Sequence, residues 1–293
     1  MFSRMLDQEL KKIESDINGS SSQDELFGRL RSLGLNDFAL FLLSLPNPDY
    51  PKMSKILPRM ASDEVQRNWT GNSGRDLLKQ TLDFVRSIAY AFSKYTGQTL
   101  DNKSILDFGC GYGRIARLMY YFTNSDNFFG VDPWDKSIEI CNADGLRTNF
   151  LLSDYLPTEL PTGKRKFSMI YAFSVFTHLS EKATRLSLGT LLRHLDPNGL
   201  LIITIRPVEY WNSDENVNSL GVAVVDKQLS LHDQTGFSFL PHNRAPVGDD
   251  ITYGDTSMTL DWIKKTFPNA EILGTDRSLN DPYQIYVYMR NIN

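Results

Sequence analysis

Cysteine and histidine are scarce in this sequence of 293 residues, which contains two cysteines and four histidines. Cys110 and Cys141 are too few to build a disulfide framework. Together with the histidines they show no spacing typical of a structural metal site. We therefore expect reduced thiols, no bound metal and a cytoplasmic location.

Long apolar runs are absent as well. The most apolar segment, residues 38–45, is far shorter than the roughly 20 residues that a membrane-spanning helix needs, so we expect no membrane span. Residues 1–10 carry acidic side chains and have none of the apolar run of a signal peptide.

A strong excess of either charge is also missing. The chain has 31 basic and 35 acidic residues, and its formal net charge is −4. This balance argues against a broad surface that neutralises phosphates, so we do not expect a nucleic acid partner. The one dense basic run, residues 164–166, follows a stretch with proline and glycine and is interpreted as a solvated loop.

Glycine is concentrated at one corner of the chain. A short apolar run at residues 104–108 predicts a buried strand. Gly109, Gly111 and Gly113 follow it, and a helical apolar spacing begins at Ile115. Such a strand, turn and helix allow a ligand to lie against bare backbone near a helix N-terminus. Arg114 stands where the dinucleotide fingerprint G-x-G-x-x-G has its third glycine.

Further strands are predicted at residues 128–132, 148–152, 167–173 and 199–205. The first of these ends on Asp132, 25 positions after Asp107. A carboxylate at that place can accept the hydroxyl groups of a ribose. Trp134 follows closely, and its indole is suited to stack on an adenine ring.

The pattern D-x-G-x-G-x-G at residues 107–113 resembles the cofactor loop of class I S-adenosylmethionine-dependent methyltransferases, and the resemblance covers residues 104–206. It implies an α/β fold with a doubly wound, mostly parallel, seven-stranded sheet and an antiparallel C-terminal hairpin. It also implies S-adenosylmethionine as cofactor, with the methionine amino group on Asp107 and the adenine on Asp154. The predicted cofactor-binding residues are Asp107, Gly109, Gly111, Asp132, Trp134, Asp154 and Phe173.

We expect an N-terminal helical extension at residues 1–65 and a methyltransferase domain at residues 66–293. The apolar stripe of the extension is expected to pack on the domain, with a homodimer contact as the alternative. Residues 69–73 are either a flap over the substrate cleft or a helix-capping loop with a buried tryptophan. Residues 207–256 form a long connection, interpreted as a lid rather than an ordinary surface excursion.

A hydroxyl acceptor needs a base, and histidine is suited to that task near neutral pH. His178 and His242 are the candidate bases, although a satisfied structural hydrogen bond is an alternative for each. Candidate substrate-binding residues are Trp69, Tyr210, His232 and Arg244. We therefore predict O-methylation of a small polar or sugar-like acceptor. A non-catalytic S-adenosylmethionine-binding protein and, less favoured, a nicotinamide-dependent oxidoreductase stay open as alternatives.

Overall fold

Helices begin the chain, as the apolar spacing there predicts. The computed structural model describes residues 2–146 and 149–292. Its early helices are α1 (Arg4–Asp16), α2 (Gln23–Leu30), α3 (Leu35–Leu43), α4 (Pro51–Ile56), α5 (Asp63–Thr70) and α6 (Gly74–Thr96). Serine side chains cap three of them by accepting a backbone N–H of the first turn, at Ser3, Ser22 and Ser62.

Two features of this region are not apparent from the sequence. The proline-rich stretch at residues 46–58 contains α4, because Pro51 occupies the first helical position, where its missing N–H costs nothing. The flap predicted at residues 69–73 begins inside α5, so Trp69 is carried on a helix. Gly71 then ends α5 in a left-handed conformation.

Nine strands follow among the described residues: β1 (Ile105–Phe108), β2 (Phe128–Asp132), β3 (Phe150–Leu152), β4 (Phe167–Ala172), β5 (Leu195–Ile205), β6 (Phe237–Pro241), β7 (Gly254–Met258), β8 (Ala270–Arg277) and β9 (Ile285–Asn291). Seven of them form one sheet in the order β3-β2-β1-β4-β5-β9-β8. β2 and β3 are parallel, as are β4 and β5, whereas β9 is antiparallel to both β5 and β8. The predicted fold class is confirmed.

Helices α7 (Arg114–Met119), α8 (Asp135–Ala143), α9 (Glu181–His194), α10 (Asp214–Leu220), α11 (Val222–Thr235) and α12 (Leu260–Thr266) lie between the strands. The central strands are buried on both faces, which explains why they read as continuous apolar runs. Thr148, where the third strand was predicted to begin, lies outside the described residues. In the parts of the chain that are described, no helix is long and apolar enough to cross a membrane.

The chain divides into two compact units. The first unit comprises Met1–Tyr90, Thr99–Ile105 and Cys110–Leu152, and the second comprises Ala91–Gln98, Leu106–Gly109 and Ser153–Asn293. The domain boundary expected after residue 65 stays a prediction.

The long connection at residues 207–256 has secondary structure of its own. It contains α10, α11 and β6, and β6 pairs antiparallel with β7 in a separate two-stranded sheet. Ser257 precedes a helical apolar spacing, which predicts a helix cap, but it lies inside β7 and is completely buried. The cap of α12 is Thr259, whose side chain accepts the N–H of Trp262. The alternation of polar and small residues in β7 hides this strand from a search for apolar runs.

Candidate active site

The bend after β1 has the backbone geometry that its glycines predict. Gly109, Gly111 and Gly113 have φ values of 75°, 53° and 73°, in the left-handed region that side chains disfavour. A Cβ on Gly111 would meet only ring atoms of Trp69, 3.9 Å away. The space beside the Cα of Gly111 is therefore open to a ligand apart from this ring.

In the first unit, Asp132 is held at the end of β2 by backbone donors. Gly111 donates its N–H to Oδ2 and Trp134 donates its N–H to Oδ1, each over 2.9 Å. Burial raises the pKa of Asp132, while these two N–H groups and the Ser137 side chain act in the opposite direction. With these three donors in place, the carboxylate keeps one further lone-pair site that can accept a hydroxyl group.

Two tryptophans stack in the same unit. The rings of Trp69 and Trp134 lie 4.7 Å apart with an angle of 25° between their planes. Trp69 also meets Tyr112 edge to face, with the ring centroids 5.7 Å apart. Trp69, predicted as a substrate-binding residue, is thus placed against the glycine bend and against Trp134.

The other predicted cofactor residues belong to the second unit. Asp107 is only 2% exposed, and its Oδ2 accepts the hydroxyl of Tyr171 over 3.0 Å. A Cβ on Gly109 would overlap Val175, so the bend packs tightly against the segment that follows β4. Phe173 begins that segment and is half-buried, with its ring 6.5 Å from that of Tyr286. Asp154 is exposed, two residues after β3.

Both candidate bases converge on one carboxylate in the second unit. His242 Nε2 lies 2.9 Å from Asp255 Oδ2, and His178 Nδ1 lies 3.7 Å from Asp255 Oδ1. Arg206 and Tyr210 also donate to Oδ1, over 2.5 Å and 3.0 Å. Burial acts to raise the pKa of Asp255, but the hydrogen bond from His242 and the charge of Arg206 outweigh it, so the pKa is lowered.

The two histidines differ in burial and in their hydrogen-bond partners. His178 Nδ1 lies 2.8 Å from the carbonyl oxygen of Gly254, which only accepts, so this nitrogen carries the proton. Its Nε2 lies 3.5 Å from the Arg206 guanidinium. Burial, followed by the charge of Arg206, lowers the pKa of His178 to about 4. His178 is therefore neutral at physiological pH, whereas His242 is more exposed, at 42% of its side chain.

Aromatic faces surround this cluster. The Tyr253 ring stacks on His178 with centroids 4.9 Å apart and an angle of 7°, and it meets the His242 ring at 5.4 Å. The Arg244 guanidinium lies 4.1 Å from the Tyr253 ring centroid. Arg206 lies 4.0 Å from the centroid of Tyr210. Burial, with the nearby Asp255 charge, raises the pKa of Tyr210 to about 12.

His232 has a different environment from the other two histidines. It is 5% exposed on α11, and its Nδ1 lies 2.7 Å from Ser257 Oγ, which also accepts the indole N–H of Trp211. Burial lowers the pKa of His232. Two of the predicted substrate-binding residues, Tyr210 and Arg244, therefore lie at the cluster of His178 and His242. His232 instead forms a buried hydrogen bond with Ser257.

Sequence reasoning missed Asp255, the residue on which this cluster is centred. Its neighbours Tyr253 and Gly254 indicate no partner for it, and His242 and Arg206 are distant in sequence. The available signal was the order of elements, since Arg206 follows β5 and His178 follows β4, and adjacent parallel strands end at one edge of a sheet.

Comparison with known proteins agrees with the predicted enzyme class. Residues 105–199 match the family model described as a methyltransferase domain. This stretch of the chain is similar to a methyltransferase domain. The match agrees with the predicted S-adenosylmethionine-dependent methyltransferase and with its predicted cofactor.

Several solved methyltransferase structures are similar to this chain. An S-adenosylmethionine-dependent methyltransferase from Clostridium acetobutylicum ATCC 824 has a TM-score of 0.48 and 13% identity, over 78% of this chain and 97% of that chain. Magnesium protoporphyrin IX methyltransferase from Synechocystis PCC 6803, with bound SAH, has a TM-score of 0.48 and 17% identity, over 77% and 97%. A methyltransferase from Streptomyces caelestis has a TM-score of 0.48 and 12% identity, over 79% and 96%. No curated protein matches the sequence.

Proposed function

We propose that this methyltransferase transfers the methyl group of S-adenosylmethionine to an oxygen of a small polar or sugar-like acceptor. The observation that carries the proposal is the hydrogen-bonded pair of His242 and Asp255, which provides a base for a hydroxyl acceptor. An amine acceptor would need less help from a base, because it has a lone pair once it is neutral.

The residues of the glycine bend fit the cofactor. Gly111 has an open backbone face, and Asp132 has two oxygens held in place by backbone donors, which suits a ribose. When bound, S-adenosylmethionine supplies an electrophilic methyl group on its sulfonium. Asp107, Gly109, Trp134, Asp154 and Phe173 keep the cofactor roles that the resemblance implies, as parts of this proposal.

His242 is the base in this mechanism. Because the Asp255 carboxylate only accepts hydrogen bonds, His242 carries its proton on Nε2, and Nδ1 is the basic atom. The acceptor hydroxyl gives its proton to Nδ1 as its oxygen forms the bond to the methyl carbon. The charge that then develops on His242 is stabilised by Asp255. His178 cannot take this proton easily, since its Nε2 faces the Arg206 cation.

The acceptor class follows from the groups around this base. Tyr210 and Tyr253 offer aromatic faces, while His242 and Arg244 offer polar groups at the same cluster. Aromatic walls with a few placed polar groups suit small ligands that have both apolar ring faces and hydroxyl groups, as sugars do. The cytoplasmic location and the homodimer stay predictions.

The test is transfer of labelled methyl groups. The purified chain is incubated with methyl-labelled S-adenosylmethionine and with fractions of free sugars, nucleotide sugars, glycans and small phenols, and products are identified by mass spectrometry. We expect an O-methylated product. We also expect the His242→Ala variant to lower kcat by about 100-fold or more, the range that general base catalysis supplies, while binding of S-adenosylhomocysteine stays unchanged.

The outcomes separate the alternatives. Unchanged kcat in His242→Ala would exclude His242 as the base, and an N-methylated or C-methylated product would exclude the oxygen acceptor. Binding of S-adenosylhomocysteine without transfer to any fraction would favour a non-catalytic protein. Calorimetry with NAD tests the alternative of a nicotinamide-dependent oxidoreductase. We expect NAD not to bind the chain.

A further inference from the structure

Gln284 has a buried side-chain oxygen without a donor. The residue lies just before β9 and is only 5% exposed. Its Nε2 donates to Ser174 Oγ over 3.1 Å, but no described protein group donates to its Oε1. A buried acceptor without a partner is costly, so such an atom in a folded protein calls for an explanation.

The partner of Gln284 is a residue with strained backbone. Ser174 has a φ of 59°, in the left-handed region that is uncommon for residues other than glycine, asparagine and aspartate. Its N–H donates to Thr204 Oγ1 over 2.6 Å. Residues in sparsely populated conformations cluster at active sites, where the surrounding structure holds them. Strain and an unmatched acceptor therefore occur together, at the carboxyl end of β4.

This place adjoins both functional parts of the second unit. Val175 follows Ser174 and packs so closely on Gly109 that a Cβ there would overlap it. On the other side, Tyr283 precedes Gln284, and its ring lies 5.9 Å from that of Tyr210, which donates to Asp255. The residues next to this hydrogen-bonded pair in sequence, Val175 and Tyr283, thus contact Gly109 of the cofactor loop and Tyr210 of the Asp255 cluster.

We infer that Gln284 is a cofactor-binding residue whose Oε1 accepts a hydrogen bond from the α-ammonium group of S-adenosylmethionine. The inference rests on the use of this cofactor by the chain. Of the donors that the cofactor carries, the ribose hydroxyls are assigned to Asp132 and the adenine amino group to Asp154. The ammonium group has three N–H donors, and Asp107 is 2% exposed with one oxygen taken by Tyr171, so Asp107 does not use all of them.

The chemistry of Oε1 suits an ammonium group. A carboxamide oxygen accepts without adding a negative charge, so it binds the cation without needing a counter-ion when the site is empty of ligand. Ser174 fixes the other end of the amide and so directs Oε1.

The test compares two ligands that differ at the methionine end. S-adenosylhomocysteine has the ammonium group, and 5′-methylthioadenosine keeps the adenosine and lacks the whole amino acid end. We expect calorimetry on the full chain to show that Gln284→Leu lowers the affinity for S-adenosylhomocysteine by about tenfold or more. This is the effect of losing one hydrogen bond to a charged group. Binding of 5′-methylthioadenosine should change by less than about twofold, since a lost hydrogen bond alone accounts for the tenfold effect.

Two further variants guard against a folding defect. Gln234→Leu changes an exposed glutamine of α11 whose amide also bonds a serine, and it should leave both ligands unaffected. Gln284→Glu keeps an acceptor toward the ammonium group and should bind S-adenosylhomocysteine at least as well as the parent chain. Melting temperatures of all variants are recorded alongside.

Equal losses for the two ligands in Gln284→Leu, or no loss for S-adenosylhomocysteine, would overturn the inference. Weaker binding of S-adenosylhomocysteine by Gln284→Glu would overturn it as well. If the parent chain bound neither ligand, the proposed function would fail first and this inference with it, so the two failures are distinguishable.

Discussion

His242 donates its Nε2–H to Oδ2 of Asp255 over 2.9 Å, across a distance of 13 residues in the chain. The other oxygen of Asp255 accepts from Arg206 and Tyr210. The carboxylate therefore cannot rotate away from His242 without losing several hydrogen bonds. This arrangement holds the His242 ring in one tautomer and one orientation, which a base needs.

The first prediction concerns this tautomer. Asp255→Asn keeps the shape of the side chain but replaces one oxygen by an NH2 group, which conflicts either with His242 or with Arg206. We expect ¹⁵N NMR of the His242 ring to change from a proton on Nε2 to a mixture of tautomers. We also expect kcat to fall by about 100-fold with the binding of S-adenosylhomocysteine unchanged, because an orienting carboxylate acts through the base.

The matched control is Asp261→Asn, an exposed carboxylate on α12 paired with Lys264. It should alter neither the ring spectrum nor kcat. A His242 spectrum that is the same in Asp255→Asn and in the parent chain would contradict the tautomer assignment.

The second prediction concerns stability at acidic pH. The folded protein lowers the pKa of His178 from 6.5 to about 4, through burial and then Arg206. Between these values the unfolded chain binds a proton that the folded chain does not, so the contribution of His178 to stability is present above pH 6.5 and is lost as the pH falls toward 4. At roughly 1.4 kcal/mol for each pH unit, the loss amounts to about 3 kcal/mol.

Urea unfolding of the parent chain and of His178→Gln, at several pH values between 7.5 and 4, measures this difference. Glutamine does not titrate, so the variant should lose less stability than the parent chain over this range. Parallel pH curves for the two proteins would show that His178 takes up its proton equally in both states.

The third prediction concerns Asp132 and cofactor affinity. Burial, only partly opposed by the N–H groups of Trp134 and Gly111, raises its pKa above the usual range of an aspartate. Affinity for S-adenosylhomocysteine should therefore begin to fall on acidification at a higher pH than for an ordinary carboxylate. Asp132→Asn should weaken binding by about tenfold or more near neutral pH, as loss of a charged hydrogen-bond acceptor does, and should remove this pH dependence.

Asp135→Asn is the control for Asp132, since Asp135 is an exposed residue in the first turn of α8. It should bind S-adenosylhomocysteine as the parent chain does at each pH. An Asp132→Asn variant with unchanged affinity would remove the ribose assignment.

The fourth prediction compares two glycines of the bend. Both have positive φ, so alanine at either position costs about 1–2 kcal/mol of backbone strain. At Gly113 the added Cβ would also overlap Leu146 and lie 3.3 Å from the Cys141 sulfur, whereas at Gly111 it meets only Trp69 at 3.9 Å. Thermal unfolding should therefore show a larger loss of stability for Gly113→Ala, by a further ~1–3 kcal/mol for overpacking.

Ligand binding should separate the same two variants. Gly111→Ala places a methyl group on the open face of the bend. It should therefore strongly lower the affinity for S-adenosylhomocysteine, although its effect on the free energy of unfolding is modest. Equal stability losses, or unaffected binding in Gly111→Ala, would contradict the view that Gly111 faces the ligand.

Much of the fold could be predicted because its signals are local. Residues 105–113 specify a buried strand and a glycine bend within a few positions, and Asp132 ends the next strand by the same kind of apolar run. Parallel strands then bring their carboxyl ends to one edge of the sheet, whatever the connecting helices contain. The helices α10 and α11 within residues 207–256 were not predicted, because they lack a strong apolar stripe and most helical stability in proteins comes from tertiary packing.

The sequence by itself therefore determined the succession of strands along the chain and the residues that form the glycine bend. Backbone preferences and apolar spacing act over short distances, so they can be recognised locally. Only the tertiary structure decided which histidine meets Asp255, that Trp69 stacks on Trp134, and that Gln284 reaches Ser174, 110 positions away. The local sequence of each of these segments does not indicate which distant residue it contacts. They arise because packing of the sheet and its helices brings distant side chains within a few ångströms, and hydrogen bonding then selects among them.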